Sequence, residues 1–365
     1  MQELRQETRQ ETRGAGRLSP RDREILRDII LTYIDRAEPV SSRSVAKHGA
    51  LSLSAATIRN VMADLEELGF LAQPHTSAGR VPTAAAYHLY IEEMMEAQRP
   101  SAKERRYIEE NLKAIPSDAA QLGEMTSHLL SELSHQVGIV VAPAVGETVL
   151  KAVDFVALSG RKVLCIVVSA AGFVDNRVIE TEEEIPKSEL IRISNYLTEN
   201  FAGLSLKQAR DRLLRLMAEE RAHMDRMFAL TIELARAGLD HDGRQDVVVD
   251  GASVLLSHPE LADIQRVRRM FDAFADKTRL VKMLNQCIQG GGVRVLIGED
   301  HDLTSELDFS LVASSYGVGD QVLGTLGIFG PSRMEYPKVI PLVRYLSEAL
   351  SAALLTGLTP RPERK

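Results

Sequence analysis

Between Ser19 and Pro82 the sequence places three helix-start signals in close succession and follows them with a polar turn flanked by two short apolar runs. Few small architectures accommodate that order. Ser19-Pro20, with Asp22 in the first turn, starts a helix whose apolar residues Leu26, Ile29, Ile30, Tyr33 and Ile34 recur at helical spacing up to Arg36, ahead of Glu38-Pro39. A short second helix fits Ser42 to Lys47 before the turn His48-Gly49-Ala50. Ser54 caps a third, Ala55 to Leu68, that stops at Gly69. Phe70-Leu71-Ala72 and Arg80-Val81-Pro82 then read as a hairpin around His75-Thr76-Ser77-Ala78-Gly79, with Gly79 expected to supply a positive φ at the tip. A helix from Ala84 to Gln98 closes the block. Ahead of it, residues 1–17 repeat Arg-Gln-Glu-Thr, have almost nothing to bury, and are expected to form a disordered tail.

Winding Ala55 to Leu68 at about 100° per residue puts Ile58, Val61, Met62, Leu65 and Leu68 on one stripe and leaves Ala56, Arg59, Asn60 and Ala63 opposite. One face packs; the other is small and polar, as a recognition helix requires. The alanines permit close approach, Arg59 can bond guanine edges or phosphate, and Asn60 can pair with adenine. Asp64, Glu66 and Glu67 fall in the C-terminal half, so the leading end is net positive, and a helix N-terminus itself favours phosphate. We therefore expect a winged helix-turn-helix at 18–99. Its candidate DNA-binding residues are Ser42 and Arg43 on the second helix, Ser54, Ala56, Thr57, Arg59 and Asn60 on the third, and Thr76, Ser77 and Arg80 around the hairpin tip. The plain alternative is a packing module with a solvated arginine. A hairpin tip too polar to help any core weighs against that alternative.

A chain of 365 residues is long enough for two or three domains with separate cores. Its 44% hydrophobic and 26% charged content belongs to a soluble globular protein. No apolar run approaches the roughly 20 residues of a membrane span. The charged N-terminus lacks the apolar stretch of a secretory signal, which points to the cytoplasm and away from any membrane role. A net charge of −7 requires that any DNA contact come from a local surface.

Cys165 and Cys287 belong to no C-x-x-C pair and are expected as buried thiols, and the nine histidines lack the spacing of metal ligands. Gly290-Gly291-Gly292 precedes a strand and lacks the Gly-Lys-Ser/Thr ending of a phosphate loop. No G-x-S-x-G elbow exists, and Glu182-Glu183-Glu184 is a solvated charge run. The reading is of a protein that is not an enzyme, with no catalytic residues, no metal and no cofactor.

Beyond Pro100-Ser101 we expect a helical linker at 100–137. Strand patterns follow at Val149–Leu158, Lys162–Ser169 and Phe173–Ile179, then helical periodicity at 185–238 and 261–284 around a short apolar strand within Asp246–Leu256. Strands resume at Val293–Ile297, Leu311–Tyr316 and Gln321–Phe329, and a helix of Lys338–Leu355 closes the chain. The fold class is α+β and multidomain: an antiparallel sheet domain at 138–184 and 285–358, interrupted by a helical insertion at 185–284. The insertion's apolar stripes, Leu213, Leu216 and Met217 with Met224, Met227 and Phe228, exceed what it can bury alone, so a second copy is expected to cover some of them.

The runs Ser54-Ala55-Ala56-Thr57-Ile58-Arg59-Asn60, Leu65-Glu66-Glu67-Leu68-Gly69 and Gln73-Pro74-His75-Thr76-Ser77-Ala78-Gly79-Arg80-Val81-Pro82-Thr83 resemble the heat-inducible transcription repressor HrcA family, as does Gly324 to Met334. The chain departs from that pattern at Ser41, Val61 and Ala86. The resemblance implies a GAF-like sheet domain and an inserted dimerisation domain. It also implies repression of chaperone operons by a homodimer on double-stranded operator DNA, the inverted repeat called CIRCE, with release on heat stress and chaperonin as modulator. A regulator whose GAF-like domain senses a small molecule is the alternative, with Gly330-Pro331-Ser332-Arg333 either lining a pocket or simply turning the last strand into its helix.

Overall fold

The computed structural model describes residues 18–49, 53–75, 78–114, 118–142, 148–206, 208–209, 211–212, 230–231, 234–235, 247–257, 264–287, 292–319 and 321–357. The N-terminal block holds α1 (Pro20–Arg36), α2 (Ser42–His48), α3 (Ala55–Glu67), the strands β1 (Leu71–Ala72) and β2 (Val81–Pro82), and α4 (Ala84–Leu89). Ser19 starts α1 through a capping box: its hydroxyl accepts from the Asp22 N–H at 3.2 Å, while the Asp22 carboxylate accepts from the Ser19 N–H at 3.1 Å. The helix predicted to reach Gln98 does not. It widens into a π turn over Tyr90–Met94 and ends, and the Gln98 N–H is claimed by the Pro337 carbonyl at 2.9 Å.

Five antiparallel strands build the central sheet, in the order β7 (Val247–Asp250), β3 (Val137–Val141), β10 (Gln321–Pro331), β9 (Phe309–Val318) and β8 (Val293–Ile297). Both faces are covered. Val140, Val312, Leu326 and Ile328 point to α6 (Ala119–Ser134) and α11 (Tyr336–Gly357). Ile139, Val141, Phe309, Leu311 and Phe329 point to α8 (Ile264–Ala275), α9 (Lys277–Gln286) and α10 (Asp302–Leu307). The α6 backbone lies so close to β3 that a Cβ on Gly138 would stand 2.1 Å from the Ser127 carbonyl oxygen. The predicted linker at 100–137 is therefore no free spacer. Its helix α5 (Ala102–Asn111) is tied to α6 by Tyr107–Glu132 and to α11 by Tyr345–Glu109, both at 2.7 Å, and α6 is a layer of the sheet domain.

The inserted unit also differs from its expected bounds. β4 (Leu150–Ala157), β5 (Lys162–Ser169) and β6 (Val174–Glu180) pair only with each other, and their inner residues Val153, Phe155, Cys165, Val167 and Ile179 close a separate core with Leu190, Ile193, Leu197 and Phe201 of α7 (Lys187–Phe201). These strands belong to the insertion and not to the sheet domain. Conversely β7, α8 and α9, expected inside 185–284, complete the central sheet. The ladder gives the reason: Val141, the last residue of β3, pairs with Val247, the first of β7, so the insertion leaves and re-enters at one rung. It meets the rest of the protein again at the β5–β6 turn, where Phe173 is buried in the larger core. The stripe from Leu213 to Phe228 lies outside the described residues.

The winged-helix core is continuous with that of the sheet domain. Tyr87 on α4 stacks on Tyr336 with ring centroids 5.6 Å apart, and His88 meets Asp300 at 2.8 Å.

Candidate nucleic-acid interface

α3 is one-sided. Ile58, Val61, Met62 and Leu65 are buried, while Ala56, Arg59, Asn60, Ala63 and Asp64 are exposed. Val61 sits on the packed face, which accounts for an apolar residue there. Neither the Arg59 nor the Asn60 side chain bonds to another described residue. The helix start is fastened by its own hydroxyls: Ser54 Oγ accepts from the Thr57 N–H at 3.1 Å and lies 2.8 Å from Thr57 Oγ1. Ser54 and Thr57 thus hold the end that α3 presents, with Ser54 itself exposed.

On α2 the structure corrects one residue. Ser42 is buried, and the cap is Ser41, whose hydroxyl accepts from the Ser44 N–H at 3.2 Å. A serine turned into the core offers nothing to a ligand, so Ser42 leaves the candidate surface. Arg43 stays exposed. Lys47, one helical turn further on, is exposed too. Sequence reasoning missed it, although the i, i+4 spacing from Arg43 is the signal that places both cations on one side of the helix.

The wing holds a second correction. Arg80 is no tip residue reaching outward. Its N–H and carbonyl pair with Val40 at 2.9 and 2.8 Å, and its guanidinium grips the Glu66 carboxylate of α3 through Nε and Nη2, both at 2.8 Å. The side chain is only 22% exposed. The pair clamps wing to helix and offsets one of the acids that would repel a phosphate backbone. Gly79 does not take a positive φ either. It is required for close approach, since a Cβ there would stand 2.4 Å from the Val40 carbonyl oxygen. Gln73 Nε2 donates to the Ala78 carbonyl at 3.2 Å across the base of the turn. Thr76 and Ser77 lie outside the described residues.

The exposed rim of α2 and α3 therefore carries Arg43, Lys47, Arg59 and Asn60, with alanines between that allow a groove edge to approach. Among the described residues no group of three or more His, Cys, Asp or Glu is placed to hold a metal, and no helix is long and apolar enough to cross a membrane. Burial pushes the Cys165 thiol up to about 12 and that of Cys287 up to about 11, so neither is a thiolate at neutral pH.

Two family models match the chain. The HrcA winged helix-turn-helix transcription repressor DNA-binding domain matches residues 17–96, and the HrcA protein C-terminal domain matches residues 121–340. The heat-inducible transcription repressor HrcA of Geobacter sulfurreducens is 43% identical, the match covering 92% of this chain and 98% of that protein. Its counterpart in Xanthomonas axonopodis pv. citri is 42% identical, covering 92% of this chain and 96% of that one. A crystal structure of a hypothetical protein at 2.2 Å resolution is similar with a TM-score of 0.60 and 22% identity, covering 94% of this chain and 99% of that chain, which shows a common fold.

Proposed function

The chain belongs to the HrcA family of heat-inducible transcription repressors, and from that premise we propose that it silences chaperone operons by occupying the CIRCE inverted repeat as a cytoplasmic homodimer. Heat stress releases it, and chaperonin modulates the return to DNA. The observation that carries the DNA-binding half is the unengaged face of α3, with Arg59 and Asn60 exposed opposite the buried Ile58, Val61, Met62 and Leu65, while Leu68, expected on that stripe, stays exposed at the helix end. Its N-terminal turns enter the major groove and read base edges, while Arg43 and Lys47 on α2 meet phosphates.

One short helix reads too few bases for useful specificity, and a two-fold protein matches a two-fold site. The dimer reading is supported by the inserted unit's sheet, whose outer face aligns Val156, Leu164 and Val178 in register and adds Val174. Val156 is 41% exposed and Val178 55%. A contiguous apolar patch of that kind is uncommon on a surface that faces only water. A second copy of the same face would cover it.

The test compares operator binding to the full inverted repeat with binding to one half-site, at fixed salt. The dimer reading expects the half-site to bind far more weakly. Equal affinity for both would defeat it, and no preference for the repeat over unrelated duplex would defeat operator recognition itself.

A further inference from the structure

The closing helix α11 carries Pro341 beyond its first turn, where a proline cannot donate its helical bond and crowds the carbonyl four residues back. That carbonyl belongs to Pro337, which is half-buried and so needs a donor from elsewhere. The Gln98 N–H supplies it at 2.9 Å. Gln98 lies within 95–100, the segment between the π turn that ends the winged helix and Ser101, which caps α5, and none of that segment is helix or strand. Upstream, Glu93 pairs with Arg23, and Glu96 with Arg27 at 3.7 Å, which ties the start of the segment to α1. The Gln98 side chain is exposed, so what Gln98 brings to α11 is its backbone. The first turn of α11 thus meets the winged helix through the Tyr336 ring, 5.6 Å from that of Tyr87, and meets its exit segment through the Pro337 carbonyl.

We propose that Pro341 is a positioning residue for operator recognition: by withholding an N–H from the Pro337 carbonyl it keeps that acceptor open for the exit segment, and so fixes the angle at which the reading head leaves the sheet domain. A residue with an N–H at this position would donate to Pro337 itself and compete with Gln98. The positioning role rests on the repressor reading; the backbone latch does not.

The experiment uses the full chain. In Pro341→Ala, hydrogen exchange of the Gln98 amide, read at single-residue resolution by mass spectrometry, is expected to speed up about fivefold or more. The thermal midpoint should not fall, since alanine is the better helix former. Equal exchange at Gln98 in the native chain and the variant would overturn the latch, whether the amide was never protected or Pro337 accepts both donors. Gln98→Pro removes the donor from the other side. Each change alone should lower the ratio of full-repeat to half-site affinity by about threefold or more, and the double variant should fall no further, a pattern that a merely structural proline would not produce. Additive losses, or a ratio unchanged by Pro341→Ala, would overturn the positioning role. If the native chain shows no preference for the repeat over unrelated duplex, the repressor reading and the positioning role fail together, and the exchange measurement still decides the latch.

Discussion

The two sheets of this protein are built from similar residues and treated oppositely by the fold. In the five-stranded sheet β3 is buried along its whole length, and β10 from Leu323 onward. In the three-stranded sheet β4 and β6 alternate, with one face packed on α7 and the other left to solvent. The difference separates platform from contact surface. A sheet covered on both sides positions whatever is attached to it, whereas a sheet covered on one side still has apolar area to offer. α3 repeats the lesson at smaller scale, because its packed stripe fixes it and its bare face is the one proposed to meet DNA.

The largest effect should come from the platform. Phe329 is 1% exposed and makes edge contacts with Phe274 and Phe309, with centroids 5.5 and 5.2 Å away. Phe329→Ala should cost about 3–5 kcal/mol in denaturant unfolding, against about 0.5 kcal/mol or less for Val178→Ala on the open face. Comparable losses at the two positions would break the contrast.

Next, Val156→Glu combined with Val178→Glu should leave the fold intact and shift the protein toward monomer in sedimentation, with operator affinity down by at least about tenfold. A stable dimer in that variant would move the interface elsewhere. Arg59→Ala and Asn60→Ala should each lose about 1–3 kcal/mol of operator binding with little change in thermal midpoint. A drop in stability with binding intact would make them structural.

The smallest effect belongs to the wing clamp. Arg80→Gln should cost about 1 kcal/mol or less of stability, since the pair with Glu66 is partly solvated. The salt dependence of operator binding should keep its slope, because the guanidinium is already engaged by a carboxylate. A slope reduced by about one unit would instead restore Arg80 as a phosphate contact.

Much of this was legible in the residues because local signals agree with the final packing. Ser19, Ser54 and the apolar spacing of α1 and α3 give those helices their starts and their buried faces, and β5 and β8 coincide with runs of β-branched residues. Pairing was not legible. Periodicity marks the strand at Leu150–Ala157 and the strand at Val247–Asp250 alike, yet only the ladder tells which sheet receives each, and so the insertion's observed edges differ from the expected ones. At the interface, adjacent Ser41 and Ser42 offer equal capping chemistry, and one of them had to be buried. The role of Arg80 depends on Glu66 and Val40, partners that a reading of charge along the chain cannot supply.

The single rung at Val141 and Val247 has a mechanical consequence. A body joined by two neighbouring tethers is free to swing about the line through them, and a third foothold stops the swing. Phe173, seated in the larger core, is that foothold for the inserted unit. In the proposed two-fold assembly, the pitch at which two reading heads reach their half-sites would then depend on how firmly that ring is seated. Loosening that ring would blur the spacing of the heads before it unfolded anything.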